Sequence, residues 1–299
     1  MTPLASITAR AAERRGRLVM IDQEDGSIER AADLLRQQGI DGITLVGRAG
    51  VDPASDPRLG EVAAVLRDCW PERVRDGIHA LDLAAHPLLF AAGLTALGHA
   101  DVCLAGTAVP MDAVEEATRW ILGPDRSRVR GHLAYLLTLD DRLTTLAIPD
   151  SAGPLNARAM AELVMTAAGH RTRVLGDQPR VGFLVPPPSQ DASHADAEVA
   201  LNELRTLAPG IAASVEWGWT TPSEGTESGR FRSGPNVLIF PDPVSGHVAQ
   251  LVLRDTVGRK AWGPLFPGGR WTLAGVPEGA TPSDIVAVAA LALAGVSGA

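Results

Sequence analysis

Residues 234–247 read Gly-Pro-Asn-Val-Leu-Ile-Phe-Pro-Asp-Pro-Val-Ser-Gly-His. The apolar run Val237–Phe240 has the length and composition of a buried strand, and the prolines and glycines around it are residues that end strands and form turns. A helical pattern follows as far as Arg259. Because open α/β sheets bind ligands beyond the carboxyl ends of their strands, this stretch predicts an α/β protein with a site near its turn.

The segment 262–286 repeats this arrangement of strand, turn and helix. It begins with Trp-Gly-Pro-Leu-Phe-Pro-Gly and ends with Thr-Pro-Ser-Asp-Ile-Val, before an alanine-rich helix. Thr281 is predicted as the N-cap of that helix, with Pro282 in its first position and Asp284 in its third, which together form a capping box. A structural role for Asp284 is compatible with a chemical one, and both stay open at this point.

The rest of the chain alternates between short apolar runs and helix-length segments. Strands are predicted at 18–21, 43–46 and 101–104, with Ser27 as the cap of the helix that follows the first of them. This alternation is typical of βαβ units and a mainly parallel sheet. Two further apolar runs, 133–138 and 143–148, predict a hairpin at the start of a second lobe. A chain of 299 residues is long enough for two lobes.

Composition argues against several classes of protein. The net charge is -8, and Lys260 is the only lysine among 27 basic residues, so we expect no nucleic-acid surface. No apolar run reaches the ~18 to 20 residues that cross a bilayer. The apolar segment 84–97 is predicted as one core helix instead. Cys69 and Cys103 are too few for a disulfide framework or a zinc site. We therefore expect a cytoplasmic protein that binds no membrane.

Motifs for other chemistries are missing from the sequence. It contains no Walker loop, no G-x-G-x-x-G, no zinc-helix motif and no G-x-S-x-G elbow, and its histidines lack a metal-ligand spacing. Neither a metal nor a tightly bound cofactor is expected. Residues 217–233 are polar and rich in glycine, serine and threonine, which predicts a long loop.

Several short blocks, taken in their order and spacing, are more specific than any single motif. The chain resembles the phosphate acetyltransferase and phosphate butyryltransferase family nearly from end to end. The blocks that carry this resemblance are Glu24-Asp25, His86–Phe90, Leu97–Asp101, Gly106, Asn236–Asp242, Ser245-Gly246, Gly263-Pro264 and Asp284–Val286.

The resemblance implies a fold and an activity. It implies two three-layer α/β lobes with mainly parallel sheets and a cleft between them. Residues 1–125 with 272–299 would form the first lobe, and residues 126–271 the second. It implies a homodimer that transfers an acyl group between coenzyme A and phosphate. An acyl-CoA or acyl phosphate is then the small-molecule partner, so that coenzyme A enters as a substrate thioester.

The resemblance also implies which residues form the site. Asp284 stands at the position of the family's aspartate base. Pro277 and Glu278 stand where the family has serine and arginine, and His247 stands where it has asparagine, so His247 and Glu278 are further catalytic candidates. The predicted substrate-binding residues are Gly106, Thr107, Arg119, Arg230, Arg232, Asn236 and Gly246.

These departures leave three functions open. Glutamate in place of arginine repels phosphate, and the loss of one preorganised donor to a transition-state anion costs ~10²-fold in rate or more. The first hypothesis is an acyltransferase that uses phosphate or another acceptor. The second is a catalytically silent homologue that acts as a binding or regulatory protein. The third is the same fold used for a different reaction in a biosynthetic pathway.

Overall fold

The chain divides into two compact units. The computed structural model describes residues 3–21, 26–48, 50–107, 109–122, 131–138, 142–150, 156–184, 192–212, 216–217, 234–255 and 260–297, with the backbone alone at 122, 192–194 and 216–217. The first unit comprises Met1–Arg128 and Trp262–Ala299, and the second comprises Val129–Ala261. The sequence-based division instead places 262–271 in the second lobe. The difference arises because the strand that contains Trp262 pairs with a strand of the first unit.

The described elements alternate between strands and helices. In chain order the strands are β1 Leu18–Ile21, β2 Ile43–Val46, β3 Val102–Ala105, β4 Gly131–Leu137, β5 Leu143–Pro149, β6 Val181–Phe183, β7 Glu216–Trp217, β8 Val237–Ile239, β9 Ala261–Pro267 and β10 Thr272–Gly275. The α-helices are α1 Pro3–Arg14, α2 Ser27–Gln37, α3 Leu59–Cys69, α4 Gly77–Ala84, α5 Pro87–Ala96, α6 Met111–Leu122, α7 Ala157–Leu175, α8 Ala192–Leu207, α9 Pro209–Ala212, α10 Pro243–Asp255 and α11 Pro282–Gly295.

The sheet of the first unit has the strand order β2-β1-β3-β10-β9. Its first four strands are parallel, and β9 runs antiparallel to β10. Every residue of β1, β3 and β10 is buried, as is every residue of α11 from Ile285 to Gly295. Such all-round burial explains why α11 is alanine-rich, since small side chains let a helix lie close to its neighbours on every side.

The sheet of the second unit has the order β4-β5-β8-β6-β7. The predicted hairpin is confirmed: β4 and β5 are antiparallel, with Leu133 opposite Ala147. The remaining pairs are parallel. Both units therefore have the predicted α/β class with mainly parallel sheets.

One predicted cap is wrong, and one predicted helix begins at a later residue. Ser27 does not cap α2; it is the first helical residue, and the N-cap is Gly26 in the left-handed region at φ 66°, where a non-glycine residue is strained. The helix predicted at 84–97 is present as α5, but it begins three residues later, at Pro87, because Ala84 is the last residue of α4. The chain bends by 98° between α4 and α5, because Pro87 lacks an N–H for a continuing helix and favours the extended backbone seen at His86.

Among the residues described, no single helix has both the length and the apolar character needed to cross a bilayer. The α4 and α5 pair passes that test only when the two bent helices are counted together, and only on length and composition.

Candidate active site

The carboxyl edge of the first unit's sheet brings several predicted residues together. Gly106 and Thr107 follow β3 directly, and Glu278 lies three residues beyond β10. These two strands are neighbours, with Ala105 opposite Gly275. Because β9 is antiparallel, its first residues, including Trp262, reach the same edge. The parallel register therefore places Gly106, Thr107 and Glu278 at one end of the sheet, where α/β proteins bind ligands.

Asp284 lies in the first turn of α11, and the predicted capping box is present. Its Oδ2 accepts hydrogen bonds from the backbone N–H of Thr281 at 3.2 Å and from the Thr281 hydroxyl at 2.6 Å. Its Oδ1 accepts one from the indole Nε1 of Trp262 at 3.2 Å. The donor groups of Thr281 and Trp262 are neutral, and the indole contact links α11 to β9.

Two other candidates in the first unit lie in different surroundings. Glu278 is exposed in the turn before α11, next to Gly279 at φ 76°. Arg119 pairs with Glu115 on its own helix, and its backbone oxygen accepts a hydrogen bond from the Trp70 indole. Eight residues separate Arg119 from Met111, so it lies ~12 Å along α6 from the end that packs at Gly275. A substrate contact for Arg119 stays a prediction.

The second unit has a histidine pair at its carboxyl edge. His247 is exposed on the first turns of α10, and its ring stacks on His132 of β4 with centroids 5.3 Å apart and planes at 17°. Burial, followed by the neighbouring His247, lowers the pKa of His132 to about 3. His132 is therefore neutral at physiological pH. Sequence reasoning missed His132, because only the hairpin register brings residue 132 opposite Ile148 and up to α10.

The buried His132 predicts a loss of stability in acid. Its pKa falls from 6.5 in the unfolded chain to about 3 in the folded protein, so the unfolded chain binds the proton more readily between these values. The free energy of unfolding is therefore not reduced by His132 above pH 6.5. It falls as the pH drops from 6.5 towards 3, by up to ~1.4 kcal/mol per pH unit. We expect urea unfolding between pH 7 and 4 to show a shallower pH dependence for His132→Phe than for wild type. Parallel curves would contradict this assignment.

Gly246 is buried where α10 lies against β5. A β-carbon at this position would stand 2.7 Å from both Cγ1 and Cγ2 of Ile148, which is closer than real contacts allow. The sequence predicts Gly246 as a substrate contact. Its packing against Ile148 also explains why this residue is a glycine. It permits the start of α10, and with it His247, to lie close to the strand.

Substitution of Gly246 tests this close approach. Gly246→Ala is expected to lower the free energy of unfolding by about 1–3 kcal/mol, because the added methyl overpacks the contact. Gly60→Ala is the matched control, since a β-carbon added to that helical glycine would meet nothing within 4 Å. In a double-mutant cycle, Gly246→Ala should cost much less free energy of unfolding in the Ile148→Ala background than in the wild type, because the methyl group then has room. Strict additivity would rule out the contact.

Asn236 lies at the other end of β8 from His247. Its Oδ1 accepts a hydrogen bond from the backbone N–H of Arg180 at 2.7 Å, and its Nδ2 donates to the backbone oxygen of Gln178 at 3.1 Å. Its own backbone oxygen accepts from Arg171 at 2.9 Å. Asn236 is 7% exposed. The structure therefore gives Asn236 a role in joining β8 to the segment before β6, away from the carboxyl edge.

Some predictions fall outside the part of the chain that the structure describes. These are Arg230, Arg232, nearly all of the predicted loop at 217–233, and the Glu24-Asp25 block. Within the described ranges, no group of three or more His, Cys, Asp or Glu side chains is arranged to hold a metal ion.

The sequence of this chain is similar to those of known phosphate acetyltransferases. No family model matches the chain. It is 26% identical over 294 residues to a phosphate acetyltransferase from Paracoccus denitrificans, covering 90% of this chain and 91% of that protein. The resemblance to phosphate acetyltransferases is confirmed. A second phosphate acetyltransferase, from Nitratidesulfovibrio vulgaris, is 25% identical over an alignment of 321 positions, which covers 96% of this chain but only 44% of that protein.

Solved phosphotransacetylases share the fold. A phosphotransacetylase from Streptococcus pyogenes aligns with a TM-score of 0.78 at 16% identity, over 97% of each chain. The EutD phosphotransacetylase from Staphylococcus aureus gives 0.75 at 15% identity, over 97% of this chain and 98% of that one. A branched-chain phosphotransacylase from Enterococcus faecalis gives 0.59 at 12% identity, over 93% and 98%. The phosphotransacetylase fold thus extends over nearly the whole chain.

Proposed function

We propose that this protein is an acyltransferase that moves an acyl group between coenzyme A and phosphate or another small acceptor. The observation that carries the proposal is the place of Asp284. It stands in the first turn of α11, and its carboxylate is held by Trp262 of β9, whose first residues reach the carboxyl edge of a parallel sheet. This is the residue that the resemblance to phosphate acetyltransferases makes the base. The two similar phosphate acetyltransferases support the same activity class.

The chemistry requires a base close to a thiol. A free thiol has a pKa near ~8.5 and is a weak nucleophile until it loses its proton. In the direction of thioester synthesis, the sulfur of coenzyme A attacks the acyl carbonyl, its proton passes to Asp284, and the bond to phosphate breaks. In the reverse direction, a phosphate oxygen attacks the thioester, the carbon–sulfur bond breaks, and Asp284 returns the proton to the leaving thiolate.

The carboxyl edge of the first unit's sheet carries groups that favour an acyl-phosphate anion and one group, Glu278, that repels it. Thr107 brings a hydroxyl and a backbone N–H, and α6 begins nearby with the positive end of its dipole, which favours anions. Glu278 is an exposed anion at this edge and disfavours phosphate. Because of this opposition, the proposed acceptors include molecules other than phosphate.

Further residues at the two carboxyl edges belong to the same proposal. We propose Gly106 and Thr107 as substrate contacts in the first unit, with Glu278 as a second acid–base candidate there. His247 is the corresponding candidate in the second unit, supported by its stacking on His132. Arg230 and Arg232 remain proposed anion contacts. A cytoplasmic homodimer without a tightly bound cofactor completes the proposal.

A thiol-release assay tests the proposed function. The purified protein is incubated with a panel of acyl-CoAs of increasing chain length, each with phosphate or with a neutral nucleophile, and the liberated thiol is measured. We expect enzyme-dependent release with at least one acyl-CoA, together with thermal stabilisation by coenzyme A. No release from any thioester and no stabilisation would contradict the proposal.

One observation favours a second candidate function. The carboxylate of Asp284 already accepts three hydrogen bonds that the fold uses, two from Thr281 and one from Trp262. A protein that binds coenzyme A thioesters without turning them over would keep the same arrangement. Stabilisation by coenzyme A without thiol release identifies this binding protein.

A further inference from the structure

Trp262 makes a polar contact that neither the strand nor the helix requires. It lies near the start of β9 and is 6% exposed, so its ring belongs to the core of the first unit. Its Nε1 donates a hydrogen bond of 3.2 Å to Oδ1 of Asp284, a residue 22 positions later in the chain. A buried indole N–H needs an acceptor, and here the acceptor is the carboxylate that we propose as the base.

The capping of α11 does not depend on this contact. Oδ2 of Asp284 alone receives both hydrogen bonds from Thr281, and the Thr281 hydroxyl in turn caps the backbone N–H of Asp284. Oδ1 is the oxygen that the indole holds. The contacts with Thr281 hold Oδ2. The indole contact holds Oδ1 and so limits rotation of the carboxylate group.

The choice of donor also matters for a base. An arginine or lysine at this place would form a charge-assisted bond and strongly favour the ionised carboxylate, which weakens its ability to accept a proton. An indole is neutral and cannot titrate in the physiological range. It can therefore orient the carboxylate at a smaller cost to its basicity.

We propose that Trp262 is a positioning residue for Asp284 in the proposed acyl transfer. It aims the carboxylate at the thiol through the Nε1 to Oδ1 hydrogen bond, while the proton of the thiol passes to Asp284 and the indole keeps its own. The inference rests on the proposed function. A base must lie within hydrogen-bond reach of the proton that it removes, so the loss of an orienting contact lowers the rate of the chemical step.

The test compares Trp262→Phe with wild type, with Trp271→Phe as the matched control. Phenylalanine keeps an apolar ring at the core position and removes the donor. Trp271 belongs to the same unit, and its ring packs at Gly268 in the β9–β10 turn. For Trp262→Phe we expect kcat to fall roughly tenfold to a hundredfold with KM for acyl-CoA nearly unchanged. The acid limb of the pH–rate profile should move to higher pH, because the ionised carboxylate loses a donor.

A spectroscopic measurement covers the case in which Trp262→Phe does not fold. In ¹⁵N-indole-labelled protein, Asp284→Asn should shift one indole N–H resonance, whereas Glu61→Gln should leave all indole resonances in place. A spectrum in which Asp284→Asn alters no indole resonance overturns the inference.

The outcomes separate this inference from the proposed function. A wild-type protein that releases no thiol fails the proposed function before any variant is made. An active wild type with unchanged kcat and an unchanged pH profile in folded Trp262→Phe overturns only the role of Trp262. A loss of thermal stability in that variant without a change in the pH profile likewise assigns the indole to packing alone.

Discussion

Arg171→Met is expected to lower the free energy of unfolding by about 2–4 kcal/mol, a larger loss than for Gly246→Ala. The Arg171 side chain lies inside the second unit, with the residue only 3% exposed. Its guanidinium forms two bonds to Asp177, at 2.9 and 2.6 Å. It also donates to the backbone oxygens of Leu143 and Asn236 and to the Thr145 hydroxyl.

Removal of this guanidinium takes one donor from each of these acceptors, and the backbone oxygen of Asn236 keeps a second donor, the Thr145 backbone N–H at 2.9 Å. The backbone oxygens of Leu143 and Asn236 lie at the start of β5 and beside β8, so both strands lose a shared donor. A buried acceptor without a partner costs ~1–3 kcal/mol, and methionine fills the volume without supplying a hydrogen bond. The cost therefore reflects stranded polar groups more than a cavity.

Arg158→Met is the matched control for this experiment. It lies on the same helix, α7, with its side chain 78% exposed and paired with Glu162, an arrangement worth at most ~1 kcal/mol. Both variants are followed by urea unfolding monitored by circular dichroism. A loss of less than ~1 kcal/mol for Arg171→Met would show that this network does not stabilise the second unit.

Asp284→Asn is expected to reduce the rate of thiol release by at least ~10²-fold, the largest effect on activity. The amide keeps an oxygen that can accept the hydrogen bonds of Thr281, so the cap of α11 is largely retained. It cannot accept the thiol proton. We therefore expect kcat to fall while the midpoint of thermal unfolding changes by only a few degrees.

Two comparisons make this result specific. Glu61→Gln removes a first-turn acid from another helix, α3, and should leave kcat unchanged. Asp284→Ala also removes the hydrogen bonds that Asp284 contributes to the capping box, and it should cost a further ~0.5–2 kcal/mol of stability. If Asp284→Asn turns over like wild type, Asp284 is a capping residue only, and the base must be sought elsewhere.

The sequence predicts features whose determinants lie close together along the chain. The capping box needs only Thr281, Pro282 and Asp284 within four residues, and it is present. The hairpin at β4 and β5 follows from two apolar runs and a short connection. The parallel sheets follow from the alternation of strands and helices. In each case neighbouring residues supply the whole physical cause.

Features that depend on tertiary neighbours could not be predicted in this way. The polar partners of Asn236 come from residues 171–180, so the sequence alone could not distinguish its structural contacts from a substrate contact. His132 meets His247 only through the strand register. The indole of Trp262 meets Asp284 because β9 turns back along β10. Ser27 failed as a cap because the backbone at Gly26 already makes the turn.

The most direct test of acyl transfer is the stoichiometry of its products. With the acyl-CoA that is turned over fastest, liberated coenzyme A and newly formed acyl phosphate, or the acylated form of the alternative acceptor, are quantified in the same reaction. We predict equal amounts of the two products, a rate that rises with acceptor concentration to saturation, and loss of both products in Asp284→Asn. Release of thiol that is independent of any acceptor, with only free acid formed, would contradict acyl transfer.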